Sequence, residues 1–124
     1  MSSIEIEVGV GEALDRCSIL KLKSYNLSSE KAEVANTEYA RVCNRLHQVG
    51  ITLIGKQTHS ELYDKLCKVN SKLWEAEDKI RKTTKTKEIA KLATRIIELN
   101  GERFKLKQEI DKMFNSLITE VKGH

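Results

Sequence analysis

Arg103 stands at a position of a leucine-rich heptad pattern where an apolar residue belongs. A guanidinium taken out of water without partners costs several kcal/mol, so an acid is expected to meet it. Asn100, Arg103 and Lys107 follow one another at i, i+3 and i+7, which puts all three on one helix face. Asn70, Trp74, Glu77 and Arg81 form a second stripe with Asp78 beside it, and Glu12 and Asp15 lie a turn apart in a third segment. If the three stripes converge, Glu77 or Asp78 is expected to pair with Arg103. One reading of such a cluster is a buried polar network that fixes the register of the helices. The other is a site for a small ligand or anion, because charges of both signs are concentrated beside one seam.

Two ExxD arrangements, Glu12-Ala13-Leu14-Asp15 and Glu75-Ala76-Glu77-Asp78, place paired carboxylates on a common helix face, where they can hold Mg²⁺ with retained waters. All-α nucleotide pyrophosphatases use such pairs, but they add a doubled acidic EExxE helix that this chain does not have. The stretch Ile96-Ile97-Glu98-Leu99-Asn100-Gly101-Glu102-Arg103, followed by Lys107, is similar to one helix of the helical chorismate mutases and to nothing further of them. His47, His59 and His124 lack ligand spacing and read as surface residues, and no dedicated metal site or cofactor is expected. Gly9-Val10-Gly11 lacks the following glycine and lysine of a phosphate loop, and no nucleophile triad is visible.

The chain has 124 residues and carries a net charge of +4, but that charge has one source. Between Lys79 and Arg95 seven basic residues face one acid, Glu88, so this corner carries +6 and the remainder −2. Threonines stand there where nucleic-acid binders interleave aromatics or arginines, so a solvated corner is expected and nucleic acid is not.

The elements that must position these residues are helices. The chain has no proline, 40% of it is hydrophobic and 32% charged, and aromatics make up only 5%. Leu62, Leu66, Val69, Leu73, Ala76 and Ile80 step by four and three. So do Ile89, Leu92, Ile96, Leu99, Arg103, Leu106, Ile110, Met113 and Leu117. The pattern predicts two long helices over 58–83 and 86–121, the second on the order of 50 Å long. The short connection between them forces an antiparallel hairpin. Thr58 and Glu61 form a capping box at the start of the first. Shorter helices are expected from about Glu12 to Tyr25 and from Ser28 or Ser29 to Gln48.

The overall expectation is one all-α domain spanning 1–124, a four-helix bundle-like fold. The alternation Ile4-Glu5-Ile6-Glu7-Val8 suits one short N-terminal strand, and Ile51-Thr52-Leu53-Ile54 between Gly50 and Gly55 is the only other β-like stretch. Because helix four outreaches helix three by about ten residues, a shorter helix or a second copy of the chain must cover its end. Cys17, Cys43 and Cys67 lie outside any CxxC pattern and read as buried thiols of a reducing compartment. No signal peptide and no apolar run of membrane-spanning length is visible, so a cytoplasmic location is expected, with no membrane partner.

Four segments together resemble an uncharacterised family of small all-helical bacterial and phage proteins, a domain of unknown function. They are Val8 to Asp15, Ile19 to Lys23, Asn70 to Arg81 and Asn100 to Lys107. The block Leu73-Trp74-Glu75-Ala76-Glu77-Asp78-Lys79-Ile80-Arg81 is the most specific part, and the GE-x-x-D opening is Gly11, Glu12 and Asp15. Where that family carries an ND-x-R block, this chain reads Asn100, Gly101 and Arg103, without the acid. The resemblance implies kinship of fold and no known activity. On these grounds the chain is expected to be a non-catalytic helical-bundle interaction or accessory protein, working as a homodimer. The alternative is a ligand-binding protein or Mg²⁺-dependent hydrolase acting on a phosphate-containing metabolite through the charged inter-helix cluster.

Overall fold

Leucine and alanine at seam positions, the absence of proline and two short turns resolve the chain into four helices. In the computed structural model, which describes residues 2, 4 and 6–121 with side chains as far as 115, these are α1 (Val10–Asn26), α2 (Ser29–Gln48), α3 (Ser60–Lys82) and α4 (Thr86–Val121). The heptad residue Leu117 and His124 fall outside the described side chains. α1 and α2 form one hairpin through Leu27–Ser28, and α3 and α4 form the other through 83–85. α1 packs on both α3 and α4, while α2 packs on α1. No described helix is long and apolar enough to cross a membrane.

The core has two parts. Leu14 and Cys17 of α1, Leu46 of α2, Tyr63 and Leu66 of α3, and Ile110 of α4 form the larger part together with Ile51. Full burial of a side chain such as Leu14, Leu66 or Ile110 contributes about 1.5–3 kcal/mol each. Val69, Leu73 and Leu99 form the second, which belongs to the α3–α4 hairpin alone. The heptad seam is closed in this region, and it opens toward the 83–85 turn, where Ile80 and Leu92 are half-buried and Ile89 is exposed. α1 covers the hairpin only near its open end, so the distal turns have one neighbouring helix each. Cys17, Cys43 and Cys67, distant in sequence, meet in the larger core part as free thiols. Burial there pushes the Cys17 thiol well above its ordinary value, and Cys43 beside it adds to the shift.

Four local expectations are corrected. No strand forms among the described residues: Ile4 and Ile6 are exposed, because an alternating pattern becomes a strand only when a neighbour supplies a ladder and a cover. The Ile51–Ile54 stretch serves instead to end α2. Gly50 adopts φ 82°, its N–H donates to His47 O at 3.0 Å, and Ile51 N–H donates to Leu46 O at 2.9 Å, the two bonds of a Schellman cap. Ile51 then folds back onto Leu46 in the core. The third correction concerns the start of α3, which begins at Ser60, two residues after the Thr58 capping box. His59 precedes it, buried rather than on the surface. Its Nε2 lies 3.0 Å from Thr52 O and its ring is tilted against Phe114 at 5.5 Å. Ser60 Oγ accepts the Gln57 N–H at 2.7 Å, and His59, at the N-cap position, makes no capping side-chain hydrogen bond.

Gly101 sits in the interior of α4, exposed, with nothing within 4 Å of where a Cβ would stand. A mid-helix glycine costs about 1 kcal/mol relative to alanine. Gly101→Ala is therefore expected to raise the unfolding free energy in dilute solution by about that amount, read from urea denaturation followed by circular dichroism.

Candidate functional site

The cluster is assembled where α1 lies across the open end of the hairpin. Gly11, in the first turn of α1, is what lets the helices approach. A Cβ at this position would stand 2.4 Å from Lys107 O and 3.0 Å from Lys107 C, a contact with the α4 backbone itself. Gly9, the residue before the helix, offers no side-chain cap. Asp111 of α4 supplies one instead: its Oδ1 accepts the Gly11 N–H at 2.8 Å and puts a carboxylate at the positive end of the α1 dipole.

One turn further along α1, the Asp15 side chain is 1% exposed and its oxygens are fully engaged. Arg103 Nε donates to Oδ1 at 3.0 Å and to Oδ2 at 3.1 Å, and Arg103 Nη2 donates to Oδ2 at 2.5 Å. Asn70 Nδ2 donates to Oδ1 at 2.8 Å and to Ser18 Oγ at 2.6 Å, and the Ser18 hydroxyl donates to Asp15 O at 2.7 Å. Bidentate guanidinium–carboxylate geometry of this kind is the strong form of the ion pair. The hydrogen bonds to Asp15 hold Arg103 above its ordinary pKa against the opposing effect of burial. Lys107 donates to Glu12 and stands 3.8 Å from Asp15 Oδ2, while Arg16 Nε reaches Glu12 from the other side at 3.4 Å.

The Lys107 hydrogen bond lowers the Glu12 pKa below its ordinary 4.5, with the Lys107 charge and Arg16 adding to it. The stability from this shift is present above that ordinary value and is lost as pH falls through the lowered folded value. Glu12 is more than a third exposed, so solvent screening keeps the contribution small.

Of the residues singled out in the sequence, the structure brings together Glu12, Asp15, Asn70, Arg103 and Lys107. The rest stay apart from this network. Asn100, Glu77 and Arg81 are exposed, Trp74 is half-buried, and Asp78 pairs with Lys82 at 2.9 Å. The expected pairing of Arg103 with Glu77 or Asp78 is therefore corrected to Asp15. The reason is register. Asn70 and Arg103 both bond Asp15, so they lie at one level of the hairpin, and Glu77 is two turns, about 10 Å, nearer the 83–85 turn. Its influence on Arg103 is the weakest of those acting there. Ser18, Asp111 and the Gly11 amide complete the cluster and were not read from the sequence. Both carry a usable signal: Ser18 stands at i+3 from Asp15, and Asp111, at i+4 from Lys107, extends the Asn100-Arg103-Lys107 stripe by one turn.

Chemically, Glu12, Asp15 and Asp111 are matched by Arg16, Arg103 and Lys107, and the carboxylate of Asp15, on α1, is held by donors from both α3 and α4. Among the described residues no group of three His, Cys, Asp or Glu side chains is arranged to hold a metal ion. Two concavities among the described residues lie elsewhere. One of about 620 Å³ runs between Lys21 of α1 and the 53–64 segment, and a shallower one of about 390 Å³ follows the outer face of α4 from Ala90 to Glu98.

A family model described as a protein of unknown function (DUF4254) matches residues 60–124, just over half of the chain. The chain belongs to the DUF4254 family. The DUF4254 match contains the α3–α4 hairpin with Asn70, Trp74, Arg103, Lys107 and Asp111, and it excludes the α1 residues Gly11, Glu12 and Asp15 that complete the cluster. No curated protein and no solved structure matches the chain. The DUF4254 description names no activity, so the reading of the cluster rests on its geometry.

Proposed function

We propose that this chain is a non-catalytic helical interaction or accessory module, homodimeric in the cytoplasm, and that its charged cluster is a clasp fixing α1 on the α3–α4 hairpin. The observation that carries this reading is the closure of Asp15. A carboxylate that is 1% exposed and already holds Arg103 and Asn70 has no valence left for a ligand, and the ionic groups around it balance in charge. A site for a phosphate or carboxylate would leave cationic donors unmatched and aimed into a concavity. The three free thiols fit a reducing cytoplasm. The basic corner from Lys79 to Arg95 is read as a solvated turn that favours solubility rather than a nucleic-acid surface.

The alternative, a phosphate-containing metabolite bound at the rim of the cluster, draws on the 30% exposure of Arg103 and the partial exposure of Lys107. Thermal denaturation with Mg²⁺, inorganic phosphate and a nucleotide panel separates the two readings. The clasp predicts an unchanged midpoint with every compound, because a ligand stabilises only in proportion to its binding of the folded state. A saturable rise with any of them, abolished by Lys107→Ala, would establish the metabolite reading instead.

A further inference from the structure

Outside the seam that joins it to α3, α4 carries a second regular pattern. Ala90, Thr94, Ile97, Gly101 and Phe104 step by four, three, four and three along the opposite side of the helix. Among the described residues this stripe meets no other helix: Ile97 is 73% exposed and Phe104 62%, large apolar side chains that a monomer leaves in water. Between them stands Gly101, a mid-helix glycine that no contact within the chain requires. A shallow groove runs beside it between Ala90 and Glu98. Glu98 and Lys105 flank the stripe on one side, seven residues apart.

We infer that this face of α4 is a two-fold interface with a second copy of the chain, in which the two α4 helices run antiparallel and cross at Gly101. The occupant is fixed by self-complementarity. About an axis at Gly101, antiparallel pairing sets Glu98 of each chain opposite Lys105 of the other, giving two reciprocal ion pairs. Parallel pairing would instead turn this flank toward the partner's opposite flank, where Ala93 and Asn100 stand and these ion pairs cannot form. The same axis lays Phe104 of one chain over Ile97 and the groove beside Thr94 of the other. Gly101, lacking a Cβ, lets the two backbones approach where they cross. The +6 corners from Lys79 to Arg95 are then carried to opposite ends of the dimer. Lys91 and Lys112 lie ten or more residues from the axis, where crossing helices have diverged.

This inference rests on the homodimer reading above and adds the surface to it. Sedimentation velocity of the full chain, from low to high micromolar concentration, is expected to show a species of twice the 14.1 kDa chain mass. Ile97→Lys and Phe104→Lys change exposed positions, so both are expected to keep the helical circular dichroism and to sediment as monomers. Glu98→Lys and Lys105→Glu are each expected to weaken the dimer roughly tenfold, and the double exchange to restore it. A wild-type dimer untouched by these variants would overturn the α4 surface and leave the homodimer reading standing on another face. A wild-type chain that stays monomeric throughout would overturn both.

Discussion

Asp15→Ala is expected to lower the unfolding free energy by about 3 kcal/mol, the lower end of the range for removing one partner of a buried ion pair. The cost is not the loss of one favourable contact but the state in which the other groups are left. Arg103 loses all three of its hydrogen bonds to Asp15, and the buried Asn70 amide loses one of its two acceptors. Partial exposure of the Arg103 side chain lets water recover some of the guanidinium's hydration, which sets the value at the low rather than the high end. Arg103→Leu is expected to destabilise as well, because it strands a carboxylate that is more deeply buried than the arginine. Urea denaturation followed by far-UV circular dichroism measures both.

Gly11→Ala is expected to cost about 2–3 kcal/mol, although alanine is the better helix former. The added methyl would stand 2.4 Å from the Lys107 carbonyl oxygen, and a helix backbone cannot rotate aside as a side chain can. α1 must lift from α4, which stretches the Gly11–Asp111 hydrogen bond and loosens Leu14 beneath it. The opposite sign expected for Gly101→Ala, where the same methyl meets nothing, makes the pair a controlled comparison within one protein. If both substitutions proved stabilising in denaturant, the close approach of α1 to α4 would be wrong.

Much of the fold was legible because its signals are local. The four-three stepping of Leu62 to Ile80 and of Ile89 to Ile110 marks two helices and their facing sides, and the three residues between them leave only an antiparallel hairpin. The exception at Arg103 was legible too, since a charge in an apolar pattern needs no structure to be noticed. Its partner was not. Choosing Asp15 over Glu77 or Asp78 requires knowing where α1 crosses the hairpin, and that is set by the close approach at Gly11 and by its bond to Asp111, a contact between segments 100 residues apart in the chain. The two β-like stretches failed for a related reason. Ile4–Val8 has the alternation of a strand without a neighbour to pair with, and Ile51 is apolar because it closes a helix cap over Leu46. Gly50, read as a bracket for a strand, is the left-handed residue that cap requires.

The central claim, that Asp15 and Arg103 form a structural clasp between α1 and the hairpin, is tested most directly by a double-mutant cycle. Unfolding free energies are measured for the wild-type chain, Asp15→Leu, Arg103→Leu and the double substitution. The clasp predicts that each single substitution destabilises, and that the double costs less than the sum of the two by about 2 kcal/mol, since neither charge is then left without its partner. Additivity within about 0.5 kcal/mol, together with an Arg103→Leu protein more stable than wild type, would contradict it and would show that the arginine serves something other than the fold.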